Sequence, residues 1–148
     1  MSTTKSKKDY IYNGFGFPII LEKAVFHKVR GEWLLKLDIE KLAEVVINLL
    51  PQKPTGLTGS EIRFARTYLE LSKRKLAELL NISHTAVNKW ESTENEKANI
   101  DPLSEVALRS FIKLQLNEDK DFPNFYREVM HEAKNFKREE VEPLKIAI

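Results

Sequence analysis

The most constraining stretch of this chain runs from Leu57 to Ser92, where three short helical patterns follow one another with almost no residues to spare between them. Thr58-Gly59-Ser60-Glu61 has the form of a capping box: a hydroxyl serves an unpaired backbone N–H and a carboxylate reaches back, just ahead of Ile62, Ala65 and Leu69 on one face. Ser72 is placed to cap a second helix with a buried face of Leu76, Leu79 and Leu80, and Asn81 stands where that helix must stop and reverse through a left-handed conformation. Ser83 caps a third, which carries Val87 and Trp90 inward. Helices joined by such short turns cannot lie side by side. Their apolar faces close only if the second and third cross steeply, the arrangement of a helix-turn-helix.

Around this segment the chain reads as an α+β protein. Residues 1–9 are expected to form a disordered basic tail. Residues 10–54 read as a small antiparallel β unit with one helix. β-branched and aromatic residues are dense from Tyr10 to Leu37, and Arg30-Gly31-Glu32 suits a hairpin turn. Asp38 then caps a helix to about Leu50, with Ile39, Leu42, Val45, Val46 and Leu49 on one face. Pro51, Pro54 and Gly56 make a linker to the helix-turn-helix domain, residues 55–117. That domain includes a polar loop from Ser92 to Ile100. A fourth helix starts at Asp101-Pro102 and continues the stripe through Leu103, Val106, Ala107, Ser110, Phe111 and Leu114. Residues 118–148 read as a C-terminal helical extension, with Phe122, Phe125, Val129 and Phe136 on one face of a helix over 122–137, and Val141–Ile148 unassigned.

Composition removes whole classes of function. There is no cysteine, hence no structural disulfide, thiol nucleophile or thiolate zinc site, and His27, His84 and His131 are too scattered to replace one. Gly14 and Gly16 form only a fragment of a phosphate-loop pattern, and a strand follows where a helix would be needed. Ser60, Ser72 and Ser83 read as caps, and no Ser, His and acid arrangement stands out. The chain is read as a non-enzyme with no cofactor and no metal. With no apolar run of membrane length and no apolar region after the basic start, it is expected to be cytoplasmic and to have no membrane partner.

The net charge of +2 is uninformative until it is divided. Residues 53–91 hold seven basic and four acidic groups, a net +3, whereas 92–121 hold four and seven, a net −3. The basic excess gathers Arg63, Arg66, Lys73, Arg74, Lys75 and Lys89 around the predicted helix pair. A helix in the major groove reads base edges from its N-terminal turns and from the face away from the core. With Val87 and Trp90 inward, that face is His84, Thr85, Asn88 and Lys89. Lys suits guanine, Asn suits adenine and the Thr methyl suits thymine. Ser72, Lys73, Arg74 and Ser83 lie at the two helix starts, where backbone N–H groups and positive charge favour phosphates.

The run from Leu71 to Glu91, LSKRKLAELLNISHTAVNKWE, resembles the Xre helix-turn-helix of phage repressors and Cro-type proteins: Ala77 at the helix crossing, apolar Ile82 and Val87, and Trp90-Glu91 ending the recognition helix. The resemblance implies that Arg66 and Glu91 form a structural ion pair bracing the reading head. Asn81 replaces the more usual Gly and is tolerated at positive φ. Leu57–Arg66, together with Tyr12–Pro18 in a β unit, is similar to antitoxins of the MqsA and HigA type. That similarity implies an operon autorepressor whose partners are operator DNA, a second copy in a homodimer and a cognate toxin. The zinc held by cysteine pairs in MqsA does not carry over. A stand-alone repressor, and an interaction module that has lost DNA binding, remain as alternatives.

Overall fold

The computed structural model describes residues 3–116 and 140–147. They form an α+β structure of two compact units, one containing residues 3–46 with 143–147 and the other residues 47–116 with 140–142.

The first unit is a mixed four-stranded sheet, β1 (Thr4–Tyr12), β2 (Ile19–Val29), β3 (Glu32–Lys36) and β4 (Leu144–Ile146), together with most of α1 (Ile39–Leu49). β2 is the central strand. β1 pairs with it antiparallel, with Thr4 opposite His27 and Tyr12 opposite Ile19. β3 pairs with residues 25–29 of β2 antiparallel, and β4 with residues 19–21 in parallel. The β2–β3 hairpin turns on Arg30 and Gly31, both at positive φ (50° and 83°), as a two-residue turn matched to strand twist requires. Phe17, Ile19, Leu21, Ala24, Leu42, Val46, Leu144 and Ile146 are buried. Asp38 caps α1, its carboxylate accepting from Lys41 N at 3.1 Å.

Three expectations change here. Residues 4–9 are strand and not a disordered tail: backbone pairing to β2, with all three lysines left in solvent, orders a segment whose composition alone reads as unstructured. The sheet is mixed, because Leu144–Ile146, expected within a helical extension, supplies a parallel strand that buries Leu144 and Ile146. The unit boundary falls inside α1, between Val46 and Ile47, and not after the proline linker.

The second unit contains a 3-10 turn (Leu50–Gln52), α2 (Gly59–Tyr68), α3 (Lys73–Leu80), α4 (His84–Glu91) and α5 (Pro102–Leu116). Its core is Ile47, Leu50, Leu57, Ile62, Ala65, Leu76, Ala77, Val87, Trp90, Ala98, Ile100, Val106, Leu108 and Ile112. Two helix faces differ from expectation. On α3 the buried arc centres on Leu76 and Ala77, which leaves Leu79 47% exposed. On α5 the buried residues are Glu105, Val106, Leu108, Arg109, Ser110 and Ile112, so Val106 and Ser110 of the expected stripe are inward while Leu103 is 73% exposed and Ala107 and Leu114 also face out. The inward face of α5 therefore includes two charges, which a hydrophobic stripe does not count. Arg109 donates to the carbonyls of Lys53 (2.5 Å) and Thr55 (2.8 Å), and its guanidinium lies 3.5 Å from Glu105. The expected helix over 122–137 lies outside the described residues.

The linker is accordingly a buried polar joint. Lys53 Nζ meets both oxygens of Glu61 at 2.7 and 2.8 Å and donates to Gly56 O at 3.2 Å, with both side chains only 2% exposed. Glu61 Oε1 also accepts from Thr58 N (2.9 Å), while Thr58 Oγ1 accepts from Glu61 N (3.1 Å), completing the capping box. Burying an ion pair is tolerable only when its remaining hydrogen-bonding capacity is filled, and here one carboxylate serves both a lysine and a helix start.

Candidate nucleic-acid interface

α2, α3 and α4 each begin with a hydroxyl cap, but the three ends are not equivalent. Thr58, Gly59 and Ser60 are buried, and Ser60 N donates to Glu94 O at 2.8 Å, so the segment after α4 closes the start of α2. Ser72 and Ser83 are exposed. Ser72 Oγ accepts from Lys75 N (3.0 Å) and Ser83 Oγ from Ala86 N (3.2 Å). The first N–H groups of α3 and α4 have no partner within their helices.

Between α3 and α4 the chain reverses at Asn81, in the left-handed region at φ 56° and ψ 47°. Asn81 N donates to Glu78 O (3.1 Å) and Ile82 N to Ala77 O (2.9 Å), a pattern that terminates a helix abruptly. Asn tolerates this conformation better than other side-chain-bearing residues. Two residues later Ser83 starts α4, so the turn places Leu76 and Ala77 of α3 with Val87 and Trp90 of α4 in one core.

The opposite side of α4 carries His84, Thr85 and Lys89, all exposed, with Asn88 half-buried among them. The Asn88 amide nitrogen lies 3.4 Å from His84 Nε2, one turn away on the same face. Lys73 is half-buried and Arg74 exposed at the start of α3. Lys75, also exposed, sits 3.8 Å from Glu78. The residues expected to read bases thus share one helix face, and those expected to meet phosphates sit at two open helix starts.

The foot of α4 is fixed. Glu91, 1% exposed, receives Arg66 through two bonds, Nε to Oε2 at 2.7 Å and NH2 to Oε1 at 3.0 Å. Arg66 NH1 donates to Leu71 O (2.9 Å), and Arg63 adds a contact of 3.4 Å to Glu91 Oε1. One buried carboxylate therefore ties α2 and the entry to α3 to the end of α4. Gly59 is a residue whose role the sequence does not disclose: a Cβ there would lie 2.6 Å from the carbonyl oxygens of both Trp90 and Glu91. Its position directly after a capping threonine is the sole local signal.

Among the described residues no group of three or more His, Cys, Asp or Glu side chains could hold a metal ion, and no helix is long and apolar enough to cross a membrane. Compared with protein-family models, with curated proteins and with solved structures, the chain matches none of them.

Proposed function

We propose that α3 and α4 form a helix-turn-helix of the Xre type and that the protein is a sequence-specific DNA-binding regulator, the antitoxin and autorepressor of a toxin–antitoxin operon. The observation that carries the DNA reading is the two-sidedness of α4. Val87, Trp90 and Glu91 are locked inward while His84, Thr85, Asn88 and Lys89 occupy the accessible face. A helix anchored on one side by a buried carboxylate keeps its other side in fixed register with a groove, which base discrimination requires.

In this reading Lys89 donates to guanine, Asn88 pairs with adenine and Thr85 meets a thymine methyl, with His84 beside them. Ser72, Lys73, Arg74 and Ser83 take phosphates, so they set position and not sequence. Arg66 and Glu91 touch no base and act as the brace. A helix as short as α4 spans too few base pairs for operator specificity, so the protein acts as a homodimer on a two-fold site. The antitoxin half rests on the likeness of Tyr12–Pro18 and Leu57–Arg66 to MqsA- and HigA-type sequences. It requires a toxin encoded beside this chain, and co-purification with the product of the adjacent reading frame tests it.

The DNA reading is tested by footprinting on the protein's own promoter. Two protected half-sites about one helical turn apart are expected. Asn88→Ala and Lys89→Ala should each cost about 1–3 kcal/mol of operator affinity and relax specificity at one base pair. Lys73→Ala with Arg74→Ala should weaken all sequences alike and lower the salt dependence. Unchanged operator affinity in both α4 variants would falsify the assigned face.

A further inference from the structure

The sheet unit carries a second charged surface unrelated to α4. Residues directly opposite in neighbouring strands share a face, and the register puts Lys7 beside Ala24, Lys5 beside Phe26 and Leu35, and Lys28 beside Trp33 on one face of β1, β2 and β3. These rows hold three exposed lysines and no carboxylate. Asp9 and Glu22 come one row beyond, at the end away from Trp33, where Asp9 is 3.2 Å from Lys145. The lysines are arranged around aromatic rings. Lys5 Nζ stands 4.4 Å from the Trp33 ring centre and 5.9 Å from that of Phe26, and Lys28 Nζ is 5.9 Å from Trp33. Tyr10 meets Phe26 edge-on at 5.3 Å, with Lys7 Nζ 5.8 Å from its ring. The Phe26 and Trp33 rings are only half-buried.

Lysines on an edge strand such as β1 discourage pairing with other sheets, which accounts for charge on β1 alone. It does not account for Lys28 on the central strand or for Phe26 and Trp33 left partly accessible beneath the ammonium groups. Flat π faces interleaved with cations, and no competing carboxylate among them, match a ligand made of flat bases joined by phosphates. Duplex DNA hides its base faces, whereas a single strand offers them. We infer that this face of β1–β3 binds single-stranded nucleic acid, with a base stacked on Trp33, a second against Phe26, and Lys5, Lys7 and Lys28 turned from the rings onto phosphates. The inference does not depend on the role of α4.

The test uses the full chain and a fluorescein-labelled oligothymidylate of about 15 nucleotides, followed by anisotropy and by tryptophan emission. Trp90 is 3% exposed, so quenching on binding reports Trp33. Binding with quenching is expected. Trp33→Leu should weaken it about tenfold, and Trp33→Phe should retain most of it. Lys5→Ala with Lys28→Ala, at exposed positions where folding is not at risk, should lower the salt slope by about 1.4. Asn88→Ala with Lys89→Ala should leave it unchanged. The inference is overturned by absent binding at low salt, by Trp33→Leu binding as tightly as the parent, by loss of binding in the α4 variant, or by an unrelated duplex competing equally with the single strand.

Discussion

The two units handle charge in opposite ways. The sheet unit keeps its lysines and carboxylates at the surface, with lysines laid over aromatic rings, and among its described residues the fully buried side chains are all apolar. The helical unit buries Lys53, Glu61, Glu91, Glu105 and Arg109; the pairs Lys53–Glu61, Arg66–Glu91 and Arg109–Glu105 hold the start of α2, the end of α4 and the face of α5. Each unit keeps a different quantity constant. An apolar sheet core is tolerant of small repacking, whereas a buried carboxylate with two or three fixed donors permits one geometry. The fixed geometry is found beneath α4, which the proposed function sets in a groove, and the adaptable surface where flat, sequence-indifferent stacking is inferred.

Variants that unpair a buried charge should break this contrast most strongly. Glu61→Ala strands Lys53 and removes half of the capping box, and should cost about 3–5 kcal/mol in denaturant unfolding. By comparison Lys5→Ala, which ends a surface cation–π contact, should cost about 0.5–1 kcal/mol. Near-equal losses would erase the distinction between the units. Ile112→Ala should cost about 2–5 kcal/mol, because it empties a site in the buried face of α5. Gly59→Ala, driving a Cβ against two backbone carbonyls, should cost about 1–3 kcal/mol, and operator affinity should fall with it because α4 must shift. Asn81→Ala should lose about 1 kcal/mol, read as a lower melting temperature, since alanine gains nothing from the left-handed turn. Least affected should be Leu103→Gln, within about 0.5 kcal/mol, which checks the outward side of α5.

Legibility in the sequence followed the range of the interactions. Thr58, Ser72, Ser83 and Asn81 act on backbone groups a few residues away, so their types and spacings are enough to mark the ends of α2, α3 and α4. The joining of Arg66 to Glu91 spans 25 residues and was expected only through resemblance to a family. Lys53, Glu105 and Arg109 escaped because periodicity assigns charge to solvent; Arg109 meets carbonyls of a proline-rich linker, which have no residue-type signature, while Lys53 pairs with Glu61 8 residues on and Glu105 accepts from Leu57 N 48 residues back. Residues 4–9 of β1, and β4, escaped for a related reason: a lysine-rich run and a three-residue run have no strong propensity, and each becomes strand only because β2 offers it unpaired edges.

The pairing of β4 with β2 also sets an order of events during synthesis. Residues 4–36 leave the ribosome ahead of the helical unit, yet their sheet lacks its fourth strand until residues 144–146 have followed, by which time every residue of the helical unit has been made. The sheet is therefore begun before the helical unit and completed after it. In the interval the edge of β2 at Ile19–Leu21 stands open to any extended chain, and a nascent-chain partner or chaperone would find its opportunity there.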